Sequence, residues 1–133
     1  MDISDPTIER ITTSIVSVAD IAVLWLYGSR ARGDFGADSD YDVAVAFQHF
    51  KSDRTEARLR PELLAMDLAA ELDLPPERLS VVDINLAPVP LAVNIVTEGI
   101  TLLVNDSLRL AREENRISSM WELDHEYHLR EFG

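Results

Sequence analysis

The spacing of apolar positions changes period several times along this chain, and each change marks an element. Ile8, Ile11, Ile15 and Val18 recur at three- and four-residue intervals, which is the buried stripe of a helix. Asp5 followed by Pro6 supplies its N-cap and first helical position, so a helix is predicted over Pro6 to Val18. The run IAVLWLYG, Ile21 to Gly28, is continuous, apolar and stopped by glycine. It predicts a buried central strand. DYDVAVAF, Asp40 to Phe47, alternates and predicts a second strand. Residues 52–73 carry Leu59, Leu63, Leu64, Met66, Leu68 and Leu72 on a broad apolar face. Pro61 predicts a kink or a start within that helix, and Pro75-Pro76 ends it. Leu79 to Leu86 reads as a third strand, Pro90 to Glu98 as a short helix closed by Gly99, and Ile100 to Val104 as a last strand. Asp106 or Ser107 caps a final helix over about residues 107–130. The sum is an α/β (α+β) domain, a small sheet with helices on one side.

Composition narrows the function. The 133 residues suit one domain, 1–133. There is no cysteine, which excludes disulfides, thiolate chemistry and cysteine zinc sites. No apolar run approaches the ~18 residues of a membrane span. The N-terminal MDISDPTIER is acidic and polar, unlike a signal sequence, so a soluble cytoplasmic protein is expected. Acids outnumber bases 24 to 12 and Lys51 is the sole lysine, so the net charge of −12 repels nucleic acid and anionic membranes. The same field attracts a basic protein, and a nucleotide would need metal ions to enter it.

The segment with chemical content begins at Gly28. Gly28-Ser29 ends the first strand and opens a loop with three glycines and three aspartates, with room for one helical turn. Glycine allows a phosphate close to the backbone, and the serine hydroxyl adds a donor. Arg30 and Arg32 are the bases nearest in sequence, and one of them is a candidate triphosphate clamp. The residues Arg30 to Ser39 then separate Ser29 from Asp40-Tyr41-Asp42. Positions i and i+2 of a strand share a face, so Asp40 and Asp42 present paired carboxylates while Tyr41 points away into packing. No lysine is near to neutralise them, and magnesium suits such an all-oxygen site. Two cations about 3.5–4 Å apart are the usual clamp for phosphoryl chemistry. A third acid from a neighbouring strand would complete the set. Asp83, a lone carboxylate in an apolar strand, fits that role, because such a group is costly unless paired or metal-bound.

Gly28-Ser29-Arg30-Ala31-Arg32-Gly33 followed by Ser39-Asp40-Tyr41-Asp42 resembles the Gly-Ser-x10-Asp-x-Asp signature of the DNA polymerase β-like nucleotidyltransferase superfamily. With Ala-Arg-Gly after Gly-Ser, and at this length, it is most similar to the minimal nucleotidyltransferases, in particular the MntA-type antitoxins encoded beside HEPN-domain RNase toxins. The order of elements extends the likeness over most of residues 20–104. The resemblance implies a small mixed sheet flanked by helices. It implies that Asp40, Asp42 and Asp83 hold two Mg2+ ions and carry catalysis, that Gly28 and Ser29 touch nucleotide phosphates, and that Arg32 is the phosphate-binding arginine. It implies AMP transfer from ATP to a tyrosine of the toxin, near the toxin's catalytic motif, which silences the RNase. Relatives often carry bases in the stretch matching Leu91 to Glu98, where this chain has none.

Two other classes compete with this expectation. One is a binding module that neutralises the toxin by contact. The other is a nucleotidyltransferase for small molecules of the antibiotic type, for which the chain has no acceptor domain. A template-directed polymerase is disfavoured by the acidic charge. On the last helix, His125 and His128 are spaced i, i+3 but have no third ligand nearby and read as solvated. Trp121, Tyr127 and Phe132 among acids read as packing mixed with a docking edge for a basic partner.

Overall fold

The computed structural model describes residues 5–132. The side chains of residues 125, 127–129, 131 and 132 lie outside that description, and with them the readings made for His125, His128, Tyr127 and Phe132. The elements run α1 (Pro6–Val18), β1 (Ile21–Tyr27), α2 (Ser29–Arg32), β2 (Tyr41–Phe47), α3 (Arg54–Glu71), a 3-10 turn (Pro76–Arg78), β3 (Leu79–Asp83), α4 (Val89–Glu98), β4 (Ile100–Val104) and α5 (Ser107–Phe132). The strands form one mixed sheet in the order β3-β2-β1-β4. β1 is antiparallel to β2 and β4, and β2 is parallel to β3.

Local chemistry accounts for the ends. Asp5 caps α1 by accepting from the Thr7 N–H at 2.8 Å, with Pro6 at the first position. Asp53 caps α3 through the Glu56 N–H at 2.9 Å, so that helix begins upstream of Pro61 and runs through it. The proline is buried inside an otherwise regular helix. Asp106 caps α5 through the Arg109 N–H. β3 is shorter than expected. It ends at Asp83, whose Oδ1 accepts from the Asn85 N–H at 2.9 Å and turns the chain away from the sheet.

Helices cover both faces of the sheet, not one. One core joins Ile8, Ile11 and Ile15 of α1 and Leu64 and Leu68 of α3 to Leu24, Leu26, Val43, Val45 and Val81. The other joins Ala92 and Ile95 of α4 and Ile117 of α5 to Val23, Trp25, Ala44 and Ala46. An all-apolar central strand is what a sheet buried on both sides requires. A register shift between Ile21 and Val23 puts Ala22 and Val23 on the same side. No helix among the described residues is long and apolar enough to cross a membrane.

Two polar clusters lock the ends of the sheet. Glu113 of α5 is almost fully buried and accepts from Asn85, Arg109 and Arg116. Arg109 also donates to the Asn85 side chain and to the Phe47 carbonyl. At the opposite end Arg30 is buried against Asp5 at 3.1 Å, donates to the carbonyls of Gly36, Ala37 and Ser39, and stacks 3.9 Å from the Tyr41 ring. Replacing Arg30 by Met leaves those acceptors without their donor. The expected loss is about 3 kcal/mol, the low end for a broken buried pair because Asp5 keeps some contact with water. A urea titration measures it as a lower midpoint with an unchanged slope.

Candidate active site

The sheet edge at the start of β2 gathers most of the residues singled out by sequence. Gly28, between β1 and α2, has φ +74 and ψ −157, a region open almost only to glycine. A β-carbon there would stand 2.5 Å from Asp42 Oδ2. The absent side chain is what lets the Asp42 carboxylate lie against the start of α2, next to Ser29. Asp42 follows the exposed Asp40 by two residues, and the charge of Asp40 acts on it. Burial first, then the Asp40 charge, pushes the Asp42 carboxyl above the usual range, and Arg32 pulls it partly back.

Arg32 itself is half exposed and paired with Asp34 at 3.3 Å. Arg30 is not available as a phosphate clamp, because it is committed beneath the loop. Tyr41 points to the opposite face and donates to Asp5 at 3.0 Å.

Asp83 does not join this cluster. β3 pairs in parallel with β2 so that Asp42 lies beside Ser80, and Asp83 lies beside Val45. Three residues of strand separate Asp83 from the site by about 10 Å, and an odd offset turns its side chain to the other face. Its partners are the Asn85 N–H and the charges of Arg60, Arg109 and Glu113, and burial, the largest influence, holds its carboxyl above the usual range. The lone acid of an apolar strand is thus explained as the residue that ends the strand.

Ser80 and Arg78 were not legible in sequence. Ser80 occupies the position beside Asp42 on the site face, and Tyr27 flanks Asp42 on the other side through the β1–β2 register. The Tyr27 phenol is raised by burial and by Asp42, while the Ser80 hydroxyl draws it down. Arg78, just before β3, donates to the carbonyls of Ala37 and Ser39, and its buried, unpartnered Nε is 3.9 Å from Asp40 Oδ1. Its signal is the parallel register itself, which sets residue 78 beside residue 40 by continuing the Tyr41–Leu79 pairing.

The donor set fits a hard cation such as the expected magnesium. Asp40 and Asp42 supply oxygens, and a cation would relieve their mutual repulsion. Among the described residues, neither β1 nor β3 sets a carboxylate beside Asp42, and no cluster of three metal-ligating side chains is found.

The family model described as polymerase beta, nucleotidyltransferase, matches residues 9–108. No curated protein matches. Among solved structures, the chain is similar to a toxin–antitoxin crystallised with AMP-PNP, at 23% identity, TM-score 0.70, over 92% of this chain and 93% of that one. It is similar to a complex of tri-AMPylated Shewanella oneidensis HEPN toxin with MNT antitoxin, at 20% identity, TM-score 0.66, over 92% and 93%. A MntA–HepT toxin–antitoxin structure matches at 20% identity and TM-score 0.65, over 92% and 93%. At these identities the likeness is one of fold.

Two substitutions separate the two ends of the sheet. Gly28→Ala forces its β-carbon into the Asp42 carboxylate and should abolish Mn2+ binding in a titration followed by electron paramagnetic resonance. Backbone strain should also cost about 1–3 kcal/mol in a thermal melt. Asp83→Asn keeps the acceptor for Asn85 and should leave Mn2+ binding unchanged. The raised Asp83 carboxyl means that the native state holds more protons than the unfolded state between the ordinary aspartate value and the raised one. Wild-type stability therefore falls as pH climbs through that window. The variant should match wild type below it and exceed it above, as read from urea midpoints across a pH series.

Proposed function

This chain belongs to the polymerase beta nucleotidyltransferase family, and from that premise we propose that it transfers AMP from ATP, with magnesium, to a tyrosine of a cognate HEPN-domain RNase toxin, and so serves as that toxin's antitoxin. The observation that carries the reading is the close approach at Gly28. Only a residue without a side chain admits the Asp42 carboxylate beside Ser29, and this joins a phosphate-approach backbone to a pair of cation-binding oxygens. Support for the partner comes from the solved relatives, one of which joins an MNT antitoxin to a tri-AMPylated HEPN toxin. The net charge of −12 suits a basic protein surface.

The chemistry assigns each side chain a task. Gly28 and Ser29 receive the phosphates, and Arg32 gives up Asp34 to meet the departing pyrophosphate. Asp40 and Asp42 would hold magnesium, which screens the phosphate charge and polarises the α-phosphate. The acceptor oxygen forms a bond to the α-phosphorus as the bond from that phosphorus to the bridging oxygen breaks. Pyrophosphate leaves with the electron pair, and the acceptor's proton is released.

A second reading, neutralisation by contact alone, is favoured by one observation. Ser80 stands on the site face where a deprotonating carboxylate would be useful.

Intact-mass spectrometry of the HEPN partner after incubation with this protein, ATP and magnesium decides between them. The expected result is one or more AMP increments, absent with Asp40→Asn/Asp42→Asn. An unmodified but still bound and inhibited partner would establish the contact reading instead.

A further inference from the structure

We propose that this chain binds its nucleotide with a single divalent cation, and that Ser80 is the position that sets this number. The inference rests on the nucleotide-binding part of the function proposed above and concerns what the site lacks.

Three neighbouring strands place Ser80, Asp42 and Tyr27 in a row across one face of the sheet, at the end where Gly28 admits the carboxylate. A further carboxylate able to share a cation with Asp42 must come from a position adjacent to it on that face. β1 offers the phenol Tyr27 and β3 offers the hydroxyl Ser80. Asp40 is the other acid of the site, and Arg78 stands beside it with its Nε 3.9 Å away. Asp83 is on the far face and serves the turn after β3. A neutral hydroxyl is a weak ligand for a hard cation beside two carboxylates and water. The pair Asp40 and Asp42, joined by the nucleotide's own phosphate oxygens, makes one complete cation site. A second site would have to be built on one shared carboxylate edge, Ser80 and water.

The same placement bears on the acceptor. Among the described residues, neither neighbouring strand sets a carboxylate beside Asp42 to take the acceptor's proton, which assigns that task to the solvent or to the acceptor protein.

Ser80 is exposed, so substitution there disturbs little packing. The test is a Mn2+ titration of the full chain with saturating AMP-PNP, followed by electron paramagnetic resonance, which needs no turnover. Wild type should take up one Mn2+ per chain, Ser80→Asn should keep one, and Ser80→Asp should take up two. Two ions in the wild type would overturn the inference and leave the proposed function standing. One ion in a folded Ser80→Asp would overturn the role given to position 80. Failure of the wild type to bind either Mn2+ or AMP-PNP would overturn the inference together with the nucleotide site beneath it. Should Ser80→Asp prove unfolded by circular dichroism, the wild-type count decides the cation number. Ser80→Glu then repeats the test of the position, with two ions expected and one overturning it.

Discussion

A guanidinium buried under a loop organises the end of the molecule where the candidate site lies. Arg30 leaves the short helix α2 and passes beneath residues 34–39, where it meets Asp5, three backbone carbonyls and the Tyr41 ring. A cation at that depth is tolerable only when its donors are matched. The matching partners come from three places in the chain. Asp5 is also the cap of α1 and the acceptor for the Tyr41 hydroxyl. The start of α1, the path of the loop and the entry to β2 therefore share one carboxylate. Asp40 follows directly on Ser39, whose carbonyl takes bonds from both Arg30 and Arg78. Its position is set from behind by groups that need never touch a nucleotide.

The parallel pair β2 and β3 divides the work along its length. One end carries Asp42 and Ser80, open to a ligand. The other carries Phe47 and Asp83, closed by the network of Asn85, Arg109, Arg116 and Glu113 that fastens α5 to the turn after β3. Buried polar networks of this kind hold position because each member loses heavily if its partner leaves. The long last helix is thereby fixed at its first turns.

Much of this was legible in the sequence because local signals agreed with the fold. Asp5-Pro6 marked the start of α1, and the glycine after an apolar run marked the end of β1. The spacing from Gly28-Ser29 to Asp40 and Asp42 identified two carboxylates that the structure places together. What failed were the inferences that need a register. The face and depth of Asp83 depend on which residue of β2 it lies beside, and no local pattern encodes a parallel pairing between strands separated by a helix. An acid in an apolar strand suggested a ligand, whereas the strand ended there and the carboxylate capped a turn. Pro61 misled for a similar reason. The helix had already been nucleated by the Asp53 cap, and the flanking turns carry it past the missing N–H. Helices on both faces follow from the all-buried β1, a strand that a sheet covered on one side would not need.

The arginines around the site then rank themselves by what each would lose on meeting a phosphate. Arg30 would leave a buried carboxylate and several carbonyls without their donor. Arg78 would release the two loop carbonyls that help hold Asp40 in place. Arg32 would give up an ion pair in which both side chains are about half exposed or more, 48% and 62%. Such a pair is worth little in water. A triphosphate that displaces Asp34 from Arg32 therefore meets a small penalty, and the displaced carboxylate returns to solvent. In the proposed function, the choice of Arg32 to bind phosphate rests on the weakness of its present bond as much as on its place in the motif. This explains how two arginines of one short helix, Arg30 and Arg32, come to separate tasks: one holds the loop and the other is left able to change partners.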